Sequence, residues 1–366
     1  MSYIKDAVNE FLTRSEGCSP KVVAGFDGFV DTLVRPIQKK LDDGAEYFND
    51  MEVFSEHIKA RAGKSCSVGI DTTVRKLGGN APIFSSTLAK LGANVDLIGA
   101  VGYPVPDKLF ADMENVTLHS IANPGETTAL EFNDGKIMLV NANSLNEITW
   151  ERVKELIGVD KLMEMYSDAG IIGMFNWSDM INSTDIWRGL ANEVLPNVRG
   201  ISDAVVSVDL CDTARRKSED ICEVIDVLRD VSKHCKVILN LNYNEYRQVF
   251  NALTDSDAPE KIEESDMLSV TGLDVVCVHF HNGSTAFDKS GAATVETYFI
   301  KNPKISTGGG DNFNAGFTLA VYYGLSLRDS LVIANAVSGF YIKNGHSAAR
   351  NDLISHAEEW ERAVLR

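Results

Sequence analysis

Residues 306–317 read Ser-Thr-Gly-Gly-Gly-Asp-Asn-Phe-Asn-Ala-Gly-Phe. The consecutive glycines Gly308, Gly309 and Gly310 run into an acid, Asp311. A helical pattern opens there, with Phe313, Phe317 and Ala320 at helical spacing. Glycine admits positive φ and lets another molecule come close to its backbone N–H. A helix start adds unpaired N–H donors and a partial positive charge, so the stretch predicts an anion site suited to phosphate. A carboxylate repels phosphate, and Asp311 needs a different reason to be there. A general base facing an acceptor hydroxyl, beside the phosphate being transferred, supplies one. An acid favoured near a helix cap in a tight loop supplies another.

Outward from this stretch, short apolar strands alternate with helices. Strands are predicted at 21–26, 95–101, 171–175, 204–210, 236–241 and 275–280. Helices are predicted at 3–14, 80–91, 185–195, 218–233, up to about 253, 311–323, 328–344 and 352–364. This alternation argues for an α/β fold: three layers, with a mostly parallel sheet flanked by helices on both faces. Between these elements, 36–64 is polar with a helix at 48–60, and 66–77 alternates as a half-exposed strand. Residues 116–140 read as a meander whose hairpin turns at Asn133-Asp134-Gly135. No Pro- or Gly-rich linker divides the chain, which predicts one domain over 1–366.

The chain carries 52 acids against 35 bases, a net charge of −17, with 44% hydrophobic and 24% charged residues. A surface that acidic disfavours nucleic acid and anionic membranes. Any phosphate site must therefore be made locally positive by N–H groups, a metal or a few cationic side chains. Six cysteines, with no C-x-x-C pair, read as free, buried thiols in a reducing cytoplasm. The N-terminal segment carries acids and no long apolar run, so it is not expected to be a signal peptide. No stretch approaches the roughly 20 apolar residues a membrane helix needs.

In such folds ligands sit beyond the carboxyl ends of the strands. Gly78-Gly79-Asn80 is a second glycine-led helix start, read either as a turn with Asn80 as N-cap or as a backbone cradle with Asn80 bonding a hydroxyl. Asp27 and Asp31 follow the first strand and, four apart in an extended chain, would face one way to accept from sugar hydroxyls; solvated turn acids are the plain alternative. Asn242-x-x-Glu245 is a capping box, or a pair holding Mg²⁺ through water beside nucleotide phosphates. Asp209, Asp212, Arg215 and Arg216 follow another strand, and one arginine could face phosphate within an otherwise solvated charge run. His279 and His281 read as ordinary strand histidines, or as part of a zinc site with no third ligand visible. G-x-x-x-x-G-K-[ST], H-E-x-x-H and G-x-S-x-G are absent.

Taken in order, the glycine run with its acid, the Gly78-Gly79 turn and the Asn242-x-x-Glu245 step resemble the ribokinase-like (PfkB-type) carbohydrate kinases over about residues 21–350. Ser306–Phe317 resembles that family's glycine-alanine-glycine-aspartate signature, with Gly309 in place of the alanine. Asn335-Ala336-Val337-Ser338 and Gly345-His346-Ser347 are similar to its last helix and following loop. The resemblance implies a ribokinase-like fold with a small β lid, here from about 28–77 and 116–141. It implies ATP-dependent phosphorylation of a small sugar, with Mg²⁺ and, in many members, a monovalent cation. Asp311 would be the catalytic base, and the N–H groups of Gly308, Gly309 and Gly310 the anion hole. Asp31, Gly78 and Gly79 would lie beside the sugar, and Asn242, Glu245, Asn335 and Gly345 beside the nucleotide and metal. Two positions depart from the family pattern. Ile83 stands where an asparagine is usual, with Asn80 as a substitute, and His279-Phe280-His281-Asn282-Gly283 replaces a Thr-x-Gly step. The extra segment 36–64 would enlarge the lid or build a homodimer contact. A nucleoside kinase of the same fold, a non-catalytic sugar or nucleotide sensor and a zinc hydrolase built on His279 and His281 are the competing readings.

Overall fold

The computed structural model describes residues 3–305 and 307–364. Ser306, at the head of the glycine stretch, and Met1 and Ser2, at the head of the segment read against a signal peptide, lie outside the described residues.

Fourteen strands follow in chain order: β1 Lys21–Phe26, β2 Phe29–Leu41, β3 Gly44–Tyr47, β4 Gly69–Gly78, β5 Asn94–Gly99, β6 Val116–Ser120, β7 Gly125–Glu131, β8 Lys136–Asn141, β9 Ile171–Phe175, β10 Val205–Asp209, β11 Lys236–Asn242, β12 Val275–Phe280, β13 Gly283–Asp288 and β14 Gly291–Glu296. The large sheet has nine strands in the order β14-β13-β12-β11-β10-β9-β1-β5-β6. It is parallel from β12 to β6, and β13 and β14 extend its edge antiparallel. Successive residues of the inner strands feed opposite cores, because side chains alternate across a strand. Val206 and Val208 of β10 point into one core and Val205 into the other, and Ile172 and Met174 of β9 oppose Ile171 and Phe175. The first core is closed by helices Ser183–Gly189, Ser218–Ser232 and Tyr243–Thr254, among others. The second is closed by Tyr3–Ser15, Asn80–Lys90, Gly309–Tyr322, Leu327–Asn344 and Arg350–Val364. These are the expected three layers. Among the described residues, no helix is long and apolar enough to cross a membrane.

β2 follows β1 after two residues but belongs to a second sheet of five strands. Its order is β3-β2-β7-β8, with β4 on the other side of β2. Helix Met51–Lys59 lies on this sheet, packing Phe54 against Phe48, Val34 and Leu130 as a third small core. The polar segment 36–64 therefore enlarges the second sheet.

Several expectations change. β6 does not belong to the meander of 116–140. It pairs parallel to β5 at the edge of the large sheet, with Val95 opposite Val116. Only β7 and β8 form the hairpin, closed by the Phe132 N–H to the Gly135 carbonyl at 2.9 Å. Alternation in sequence shows that a segment is a strand but not which sheet it joins. The β13–β14 hairpin and the helices Trp150–Leu156 and Val159–Tyr166 are additions that the sequence reading lacked. Cys235 and Cys277 are buried as expected, but Cys18 and Cys66 are exposed, because they lie in connecting segments outside the strands.

Candidate active site

Two glycine-led helix starts face each other at the carboxyl edge of the sheet. At the first, Gly79 sits at φ +91° and caps helix Asn80–Lys90. The helix's first N–H groups are answered by Asp27, which accepts from the N–H of Asn80 and of Ala81, each at 2.8 Å. The Asn176 side-chain amide donates to the same carboxylate at 2.9 Å. Asp27 is 0% exposed, and burial raises its pKa to about 6 against the pull of these donors. This corrects the reading of Asp27 as a sugar contact. The chain passes from the large sheet to the second sheet at Asp27-Gly28, so Asp27 and Asp31 do not lie on one strand, and both Asp27 oxygens are spent on the protein. It also corrects Asn80 as N-cap. Asn80 is the first helical residue, and its side-chain amide is free to donate to Asp311 Oδ1 at 2.8 Å.

Asp31 lies on β2, opposite Lys76 of β4 and Thr127 of β7. Gly78 makes room for it: a Cβ there would stand 2.6 Å from the Asp31 carboxyl. Burial pushes Asp31 up, opposed by Lys76, by the Thr127 hydroxyl and by Lys136. Asp31 and Thr127, with Gly79, Asn80, Asn176 and Asp311, line a cavity of about 300 Å³. Asn176, in the left-handed region at φ +55°, leaves its Oδ1 without a partner there. The sequence reading missed Asn176. Its only local signal is its place immediately after the buried strand β9.

At the second start, Gly308 caps helix Gly309–Tyr322 at φ +94°, and among the described residues no side chain from elsewhere in the chain is hydrogen-bonded to its first N–H groups. Its carbonyl accepts from the backbone and side chain of Asn312, which is tied in turn to Thr87 of the facing helix at 3.0 Å. Tyr341 donates to the Thr307 carbonyl and Ser338 to that of Gly309, each at 2.9 Å. The turn is therefore clamped from three sides. Asp311, 8% exposed, is pushed far above the ordinary carboxylate range, first by burial and then by Asp209; the Asn80 amide opposes the shift.

Beyond this turn lies a second cavity of about 410 Å³, lined by Gly309, Gly310, Asn242, His279, Asn335 and Ser338 among others. The helix start is thus a wall between two clefts. Gly308 and Asp311 border one, and Gly309 and Gly310 border the other. Asn242 and Glu245 form the capping box in full, with the Asn242 side-chain amide donating to Glu245 Oε1 at 2.6 Å. Glu245 is nonetheless buried, and burial followed by the charge of Asp209 raises its pKa strongly. Asp209, read in sequence as part of a solvated run, is itself buried and held by the Asn314 amide at 2.7 Å. Asn335 donates to Ser284 at 3.0 Å on the cleft wall. Gly345 is the left-handed cap of helix Leu327–Asn344 at φ +77° and is not among the residues lining either cleft.

The two arginines are also placed. Arg216 donates to the carbonyls of Trp177, Ser178 and Met180, and Arg215 pairs with Asp179 and Asp212. Neither lines a cleft, because local acids and carbonyls claim them. Among the described residues, no group of three His, Cys, Asp or Glu side chains is placed to hold a metal, and His281 packs on Phe299.

Comparison with known proteins gives the family and the fold. The family profile described as prokaryotic ketohexokinase matches residues 3–360. A ketohexokinase of Haloferax volcanii is 26% identical over 344 residues, covering 92% of this chain and 90% of that protein. Two solved structures share the fold. A ribokinase II of E. coli in complex with ATP and Mg²⁺, itself of uncertain assignment, has a TM-score of 0.63 at 16% identity, covering 93% of this chain and 99% of that one. A ribokinase of Arabidopsis thaliana complexed with ribose and ATP has a TM-score of 0.64 at 17% identity, with the same coverage.

Proposed function

The chain belongs to the prokaryotic ketohexokinase family and is a carbohydrate kinase, and from that premise we propose that it transfers the γ-phosphoryl group of ATP to a hydroxyl of a ketohexose. The observation that carries the assignment of roles is the wall between the clefts, with an acid on one side and bare helix amides on the other. The sugar occupies the cleft of Asp31, Asn80 and Asn176, beneath the second sheet acting as a lid. The phosphate chain of ATP occupies the cleft of Gly309 and Gly310.

Asp311 Oδ2 then takes the proton of the attacking hydroxyl. Burial raises its pKa, which makes the ionised carboxylate a stronger base. The Asn80 amide, bonded to Oδ1, holds the carboxylate and favours its ionised form. The N–H groups of Gly308, Gly309 and Gly310 stabilise the charge that spreads over the transferring phosphoryl oxygens. Asp31, with Thr127 and Lys76 beside it, orients the sugar.

The residues fit a Mg²⁺ ion held through water. Asp209 and Glu245 are acids pushed up by burial, and Glu245 further by the charge of Asp209, which favours a cation between them and the phosphates. Asn242 and Glu245 keep their capping box, which suits an ion that retains several waters. When bound, Mg²⁺ neutralises charge on the phosphate oxygens.

A coupled assay of ADP release with fructose tests the reading. Asp311→Asn keeps nucleotide binding and loses ~10²–10⁴ in kcat, the usual contribution of a positioned base. Near-normal turnover in that variant would remove Asp311 from the mechanism.

A further inference from the structure

His279 is among the polar side chains of the cleft assigned to the nucleotide that the mechanism leaves idle. His279 stands near the end of β12, in register with Asn242 of β11. Its ring lies 5.2 Å from the ring of Phe313, which fixes one of its faces. Its edge is turned toward the glycine turn. A Cβ built on Gly310 would stand 3.5 Å from Nε2, and the absent side chain leaves that nitrogen open beside the helix start. Neither ring nitrogen has a hydrogen-bond partner among the described residues. Neither is sealed in the interior: both are missing from the buried, unpartnered polar atoms of the protein, and His279 lines the cavity of about 410 Å³.

A histidine kept for packing satisfies its N–H within the protein, because an unpaired buried donor costs about 1–3 kcal/mol. One kept for a metal has other ligands nearby, and none are placed for that among the described residues. Resting on the kinase reading of this cleft, we propose that His279 donates its ring N–H to the phosphate chain of the bound nucleotide, extending the row of donors begun by Gly309 and Gly310. Burial holds the imidazole down to about 4, so at neutral pH it is uncharged and carries one N–H. It thereby adds a donor to the anion site without placing a fixed charge there. Asn242 across the strand pair and the Gly310 amide across the turn put that donor nearer the site of transfer than the base of the nucleotide.

Calorimetric titration of the full chain with a non-hydrolysable ATP analogue, ADP and adenosine tests this in wild type, His279→Phe and His279→Asn. Phenylalanine keeps the contact with Phe313 and removes the N–H. It should weaken the ATP analogue by about 10-fold or more, as expected for a hydrogen bond to a charged group, while adenosine binds as before. Asparagine, which retains a donor, should recover part of the loss. A second measurement needs no substitution: the ring ¹H–¹⁵N resonances of His279 should move when the ATP analogue is added and stay in place with adenosine. Equal affinity of wild type and His279→Phe for the analogue, an equal loss for adenosine, or ring resonances indifferent to phosphate would each overturn the proposal. A wild type that binds none of the nucleotides would instead sink the kinase reading of the cleft, and His279's role with it, so the two failures are told apart by the wild-type titration.

Discussion

The two glycine-led helix starts use the same local chemistry and end in opposite states. Gly79 and Gly308 both cap a helix from the left-handed side, at φ +91° and +94°. At the first, the protein supplies its own anion: Asp27 fills the N–H groups of Asn80 and Ala81 and is sealed from water. At the second, among the described residues no side chain from elsewhere in the chain answers the amides, and a cavity opens beyond them. A helix start with an internal carboxylate is a structural joint, and one left bare at the edge of a cleft is a place for an outside anion. The pair therefore separates the residues that build the site from those that use it.

The comparison breaks most visibly at Gly308. A Cβ there would stand 2.7 Å from the Tyr341 hydroxyl, and the left-handed backbone adds about 1–2 kcal/mol of strain for any other residue. Gly308→Ala should displace the amides and cost ~10² in kcat, the scale for loss of an oxyanion donor. Wild-type turnover in a folded Gly308→Ala protein would show that the bare turn does not act in catalysis.

The filled start should answer in stability rather than rate. Asp27 has a pKa near 6 in the folded protein against an ordinary 3.8, so between these values the folded state binds more protons than the unfolded state. Its contribution is then fully present below about pH 4 and is lost as pH rises through about 6. Denaturant unfolding of wild type across that window should show the loss, and Asp27→Asn should remove that part of the slope. A variant with the wild-type pH slope, and a much higher KM for sugar as its main change, would return Asp27 to the substrate.

The smallest effect is expected at Gly345. It closes helix Leu327–Asn344 at φ +77°, with its N–H bonded to the Tyr341 carbonyl at 2.8 Å. Gly345→Ala should cost about 1 kcal/mol in unfolding free energy and leave nucleotide affinity unchanged. A fall in affinity would restore it to the nucleotide site, as the resemblance implied.

Much of the candidate site was legible because its residues sit where strand patterns end. Asp31, Asn80, Asn242, Glu245 and the glycine run all line the clefts or adjoin them. The misses share a cause. Asp27 and Asp31 look alike on paper, and only the change of sheet at Asp27-Gly28 and the approach of Asn176 after β9 send one inward. Asp209 looked solvated among charged neighbours, yet Asn314 of a helix more than a hundred residues away covers it. His279 read as an ordinary strand histidine, since nothing local reveals that Gly310 lies against its edge.

By itself, the sequence determined the alternation of strands and helices, the burial of both faces of the parallel strands and the two positive-φ glycine turns. Those depend on side-chain period and backbone sterics, which act over a few residues. Tertiary structure alone decided that β6 joins the large sheet, that Asp27 serves a helix and not a ligand, and that one glycine turn stays open. Those outcomes depend on which distant groups arrive to satisfy a donor or a strand edge, and chain folding sets that arrival.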